Sequence, residues 1–111
     1  MRATWKHVEA QVADRFGAKR VPITGRSRGS TADTDCKEFA QEIKHRKEIP
    51  LWIKDAINQA EEASKRHGGW PMVILHEKYS KYDDSLIIMK LSDFNLWRKE
   101  HEGQDAVYVQ P

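Results

Sequence analysis

One cysteine, Cys36, stands in 111 residues, so no internal disulfide framework can hold this chain, and no spaced set of Cys and His marks a structural zinc site. That usage fits a reducing compartment, and a cytoplasmic location is expected. No apolar run is long enough to span a bilayer, and no signal-peptide pattern, internal repeat or low-complexity linker is visible. No membrane partner is expected. Charge of one sign is missing too, because 19 Lys and Arg face 17 Asp and Glu for a formal net charge of +2. So small an excess neither demands nor excludes a nucleic-acid partner. A chain of 111 residues is expected to form one domain around one core, spanning residues 1–111.

Distribution says more than the sum. Residues 17–29 contain Lys19, Arg20, Arg26 and Arg28 with no acid, and Lys44 is followed by His45, Arg46 and Lys47. Between these basic stretches lie Asp33 and, nine positions later, the tripeptide Glu42-Ile43-Lys44. Residues 37–46 read as a strand, whose period-two alternation sends Phe39, Gln41 and Ile43 to one face and Ala40, Glu42 and Lys44 to the other. A strand packed through Phe39 and Ile43 can hold Glu42 and Lys44 as a rigid pair on its opposite face. Two acids can hold a hard divalent cation such as Mg²⁺ through oxygen, and an amine beside them can orient water or offset charge on a phosphate. This set reads as a metal-dependent nuclease site. A Glu-x-Lys alone is weak evidence, since surface strands often alternate these residues for solubility.

The first helix is expected over residues 4–16, with Thr4 as N-cap and Gly17 as the stop. At 100° per residue, Trp5, Val8, Val12 and Phe16 form an apolar stripe that includes Glu9, while Asp14 projects from the other side. A carboxylate on a core-facing stripe costs on the order of several kcal/mol unless compensated, so Glu9 asks for a metal, a lysine or a proton. The plainer reading is a boundary glutamate that reaches solvent. Residues 19–24 read as a first strand and residues 25–30 as a basic Gly/Ser/Arg loop able to grip a phosphate backbone or to serve as a solubilising hairpin tip.

Pro50 suits the first turn of a second helix that runs to His67 and stops at Gly68-Gly69. Its packing face is expected at Trp52, Ala56, Ala60 and Ala63, with Gln59 at the edge, where its amide could reach a site on the sheet. Residues 70–76 and 85–91 read as strands separated by a polar turn at 80–84, Ser92 as the cap of a short last helix through Trp97, and residues 103–111 as an extended tail offering Val107, Tyr108 and Val109. The order implies an α/β sandwich with a mixed sheet, and residues 39–44, 50–67 and 70–76 make a βαβ unit with a right-handed crossover.

At this point the chain resembles the PD-(D/E)xK nuclease superfamily, and within it the small phage and archaeal Holliday-junction resolvases. The resemblance covers most of the chain: Glu9 on the first helix, the basic loop, Asp33, Glu42 with Lys44, and Gln59-Ala60 on the following helix. It implies a restriction-endonuclease-like fold, a mixed β-sheet flanked by helices. It also implies that Asp33, Glu42 and the backbone carbonyl of Ile43 hold Mg²⁺ or Mn²⁺, with Glu9 as a further ligand or the binder of a second ion. Lys44 then serves the nucleophile or transition state, and Gln59 joins the catalytic set. Ala32 stands where the family name has proline, and Asp35, seven residues before Glu42, competes with Asp33 for the ligand role.

The activity so implied is metal-dependent, structure-selective hydrolysis of DNA phosphodiesters leaving a 5′-phosphate, with a four-way junction as the substrate and a homodimer as the acting form. A phage-borne enzyme of this kind would work in the host-cell cytoplasm. Lys19, Arg20, Arg26, Arg28, His45, Arg46 and Lys47 are the expected DNA contacts. Alternatives are a nuclease of the same fold acting on flaps, forks or duplex DNA, a non-catalytic DNA-binding module, and a protein-interaction domain. His7, His45, His67, His76 and His101 show no metal-ligand spacing.

Overall fold

A computed structural model describes residues 4–22 and 31–102. The chain divides into two compact units, Met1–Lys47 and Glu48–Pro111. The basic loop with Arg26 and Arg28, and the tail with Val107, Tyr108 and Val109, lie outside the described residues.

The first unit opens with α1, Trp5–Asp14. Thr4 caps it as expected, its Oγ1 accepting the His7 N–H at 3.2 Å, but the helix ends at Asp14 with Arg15 as C-cap, before the expected Phe16, and a turn follows to Gly17, whose φ of +66° a side chain would strain. The buried line of α1 is Glu9 and Ala13, flanked by half-buried Val8 and Val12; Trp5 keeps 49% exposure. Glu9 is therefore inside the packing face, and Asp14 is exposed.

Neither strand expected in this unit forms a ladder among the described residues. Residues 19–22 contribute a single bridge, Arg20 to Thr34, and residues 37–46 carry no strand. One physical reason is that the Ile43 N–H, which a neighbouring strand would take, is bonded instead to the side chain of Asp33, ten residues away. The alternation of residues 41–44 survives without a ladder: Gln41 and Ile43 are half-buried, Glu42 and Lys44 exposed.

The second unit begins with α2, Leu51–His67. Pro50 sits one place earlier than expected, as the N-cap with extended ψ, and Gly68 ends the helix at φ +81°. The half-buried face runs through Ile53, Ala56, Ile57, Ala60 and Ser64, whereas Trp52 is 55% exposed and Ala63 and Gln59 point to solvent. Ala56 and Ala60 stay on the face as expected, while Ile53 and Ile57 take the places expected of Trp52 and Ala63 and set two branched apolar side chains at helical spacing toward the sheet.

Strands β1 (Val73–Leu75) and β2 (Leu86–Ile88) pair antiparallel, Val73 opposite Ile88, Ile74 opposite Ile87 and Leu75 opposite Leu86. Both are shorter than their apolar runs. Pro71 has no N–H to give a ladder, which leaves residues 70–72 outside it. Helix α2 packs on β1, with Ile57 and Ala60 meeting Val73 and Ile88 along the seam. The opposite face of the hairpin keeps Ile74 at 57% and Ile87 at 63% exposure. The expected βαβ unit lacks a ladder strand at residues 39–44, and β1 and β2 pair antiparallel.

Helix α3, Leu91–Glu100, has Lys90 rather than Ser92 at its N-cap and runs three residues past Trp97. Asp93 in its first turn and Arg98 and Lys99 in its last complement the helix dipole. Lys90 Nζ also reaches Glu61 of α2 at 2.9 Å, and that carboxylate holds the ammonium above the ordinary lysine range.

Candidate functional site

Three backbone segments of the first unit meet around Asp33. Residues 19–21 run antiparallel to 33–35, with the Asp35 N–H donating to Lys19 O at 3.0 Å and the Val21 N–H to Asp33 O at 2.9 Å. Residues 41–43 join from the other side, where the Asp33 N–H donates to Gln41 O at 2.8 Å and the Ile43 N–H to Asp33 Oδ2 at 2.6 Å. Asp33 is buried, at 7% exposure, and its charge is met by a peptide N–H of the Glu42-Ile43-Lys44 tripeptide. Asp35 is exposed and accepts the Lys19 N–H at 2.7 Å. Of the two competing acids, Asp33 is the one joined to the tripeptide.

Thr34 and Gln41 brace this junction. The Thr34 hydroxyl donates to Gln41 Oε1 at 2.6 Å and accepts the Cys36 N–H at 3.2 Å, and Thr34 is buried at 3% exposure. The strand pattern places Gln41 on a packing face and carries no mark for Thr34. The available signal was the spacing, since a chain that doubles back between them sets these two polar side chains against each other.

Glu42 and Lys44 lie on one side of the extended segment, Lys44 Nζ 3.2 Å from Glu42 Oε1, with side chains 63% and 76% exposed. An ion pair so open is worth roughly 0–1 kcal/mol, so either group can be drawn to another partner at little cost.

Glu9 meets a different cation from those expected of it. Its Oε1 accepts from Arg20 Nε at 2.8 Å, the two side chains being 10% and 17% exposed, and the Arg20 guanidinium sits 5.1 Å from the Trp5 ring centroid. The stripe carboxylate is thus compensated by an arginine held against a tryptophan. Arg20, read from the sequence as a DNA contact, is committed to this cluster.

No family model matches the chain, and neither does any curated protein or solved structure.

The remaining basic residues are exposed: Lys19, His45, Arg46 and Lys47 all face solvent in the first unit. Gln59 is exposed on α2 in the second unit. Among the described residues, no three His, Cys, Asp or Glu side chains gather into a metal-holding group. What the structure does join is the Asp33 carboxylate to the Ile43 N–H, with Glu42 and Lys44 paired to each other on the exposed side of the same segment. Among the described residues, no helix is long and apolar enough to cross a membrane.

Proposed function

We propose that the chain is a Mg²⁺- or Mn²⁺-dependent endodeoxyribonuclease of the restriction-endonuclease-like fold, a homodimer that cleaves four-way DNA junctions in the cytoplasm. The observation that carries this reading is the 2.6 Å bond from the Ile43 N–H to Asp33 Oδ2, which joins an acid to a Glu-Ile-Lys segment ten residues on. The donors fit the metal. Carboxylates and a peptide carbonyl are hard oxygens, and Mg²⁺ takes only one or two carboxylates, completing its shell with water and phosphate.

In this reading Asp33, Glu42 and the Ile43 carbonyl would hold the cation. Bound there, it supplies Lewis acidity that activates water and offsets charge on the scissile phosphate. Lys44 leaves its weak pair with Glu42 to orient the attacking water and to neutralise charge developing on phosphate oxygens. Glu9 acts through Arg20, whose guanidinium it fixes, and the exposed Lys19, His45, Arg46 and Lys47 contact the phosphate backbone. Gln59, which the resemblance adds to the catalytic set, lies in the second unit, exposed on α2.

One observation favours a second reading, a DNA-binding module without catalysis. Glu9 and Glu42 each have a cation partner within the chain, so neither needs a metal to account for its presence. Nicking of an immobile four-way junction beside a linear duplex of matching sequence, with and without Mg²⁺, separates the readings. Metal-dependent nicks confined to the junction and lost in Glu42→Ala support the resolvase. Cutting of both substrates keeps the nuclease and discards junction selectivity, and metal-independent binding without cuts establishes the second reading.

A further inference from the structure

The loop between β1 and β2 carries Lys78-Tyr79-Ser80-Lys81-Tyr82, and both of its rings stand in solvent, Tyr79 at 92% and Tyr82 at 84% exposure. Tyr79 is also the non-glycine residue of positive φ among the described residues, at +71°. A bulky side chain rarely adopts that backbone, and strain of this kind persists only where surrounding structure enforces it. The enforcement is visible. The Ser80 N–H donates to Glu77 O at 3.0 Å, the Ser80 hydroxyl to Glu77 Oε2 at 3.2 Å, and His76 Nε2 to Ser80 O at 3.0 Å. Beyond it, a single 3₁₀ turn over Tyr82–Asp84 is closed by the Ser85 N–H donating to Tyr82 O at 3.1 Å, and the His76 ring lies 5.0 Å from the Tyr82 ring.

We propose that this tip is a binding site for unpaired nucleobases, with Tyr79 and Tyr82 as stacking rings; the proposal rests on the DNA reading above. Rings exposed on a hydrogen-bonded loop pay little ordering entropy on contact, and every base offers a π-face to them. Lys78 Nζ, 5.1 Å from the Tyr79 centroid, sets a cation beside the stacking surface, and Lys81 precedes the second ring. Glu77, Asp83 and Asp84 outnumber these two lysines, so a duplex backbone gains nothing from this loop. Attraction must come from base faces, which are open only where pairing is broken, as at a branch point.

The test is fluorescence anisotropy of the full chain in EDTA with three probes: a four-way junction carrying unpaired thymines at its centre, oligo(dT), and a matched linear duplex. Replacing both rings (Tyr79→Ala with Tyr82→Ala) lowers affinity for the probes with unpaired thymines by about tenfold per ring, leaves duplex affinity and the salt slope unchanged, and is rescued by the paired Phe substitutions. Unchanged binding of unpaired thymines, or an equal loss on all three probes, overturns the proposal and leaves the tip to a protein partner. Wild-type chain that binds none of the probes removes the DNA reading itself, whereas binding indifferent to the rings removes this proposal alone.

Discussion

Asp33 and Ile43, ten residues apart, are joined by a hydrogen bond from a peptide N–H to a carboxylate oxygen at 2.6 Å, and that bond takes the donor a strand ladder would have used. Removing the acceptor leaves a part-buried N–H unpaired. A bond to a charged acceptor in such a place is worth about 1.5–3 kcal/mol. Asp33→Ala is expected to lower stability in urea denaturation by about 2 kcal/mol, and Asp33→Asn, which keeps an oxygen acceptor, by less. Equal stability of Asp33→Ala and wild type would show that the bond does not hold the segment in solution.

The Glu9–Arg20 pair gives a second expectation. Breaking a largely buried ion pair strands one charge, at about 3 kcal/mol, whereas removing both charges is far milder. Glu9→Gln and Arg20→Met should each destabilise the chain by about that amount, and the double variant by clearly less than their sum. A strictly additive double-mutant cycle in thermal or urea melts would deny the coupling.

Tyr79 at φ +71° predicts the opposite sign. Tyr79→Gly relieves the left-handed strain while adding unfolded-state entropy, for a net gain of at most about 1 kcal/mol. A melting temperature that falls instead would mean the ring contributes packing that its 92% exposure does not suggest.

Lys90 sets a pH dependence. Its hydrogen bond and Coulomb attraction to Glu61 raise its pKa in the folded chain, so the contribution is fully present below the ordinary lysine value of 10.5 and fades as pH rises through the raised value. The gap in melting temperature between wild type and Lys90→Met should be constant at neutral pH and narrow above pH 10.5. A gap that widens in alkali would reverse the assignment.

The sequence made the three helices legible because their ends carry local chemistry: Thr4 at the cap of α1, Gly68 after a basic last turn at the end of α2, and charges suited to the dipole at both ends of α3. It also marked Glu9 as lying on the packing face and set Glu42 and Lys44 on a common side, since both follow from periodicity alone. What it did not reveal depended on partners distant in the chain. Alternation at residues 41–44 reports side-chain direction, not whether the backbone finds a ladder, so the loss of a strand to the Asp33 side chain left no trace in the pattern. Arg20 shows only a charge in the sequence; that it would lie between Glu9 and Trp5 follows from how the turn after Gly17 returns to α1. The Ile53–Ile57–Ala60 face of α2 was within reach of the same periodicity, had the isoleucines outweighed Trp52.

The proposed site needs Asp33 rather than Asp35 as the acid that works with Glu42 and Lys44. Single-turnover cleavage of an end-labelled four-way junction in Mg²⁺ by Asp33→Asn and Asp35→Asn decides it. Cleavage is expected to be abolished in Asp33→Asn and retained in Asp35→Asn. Retained cleavage in Asp33→Asn, with or without loss in Asp35→Asn, would contradict it.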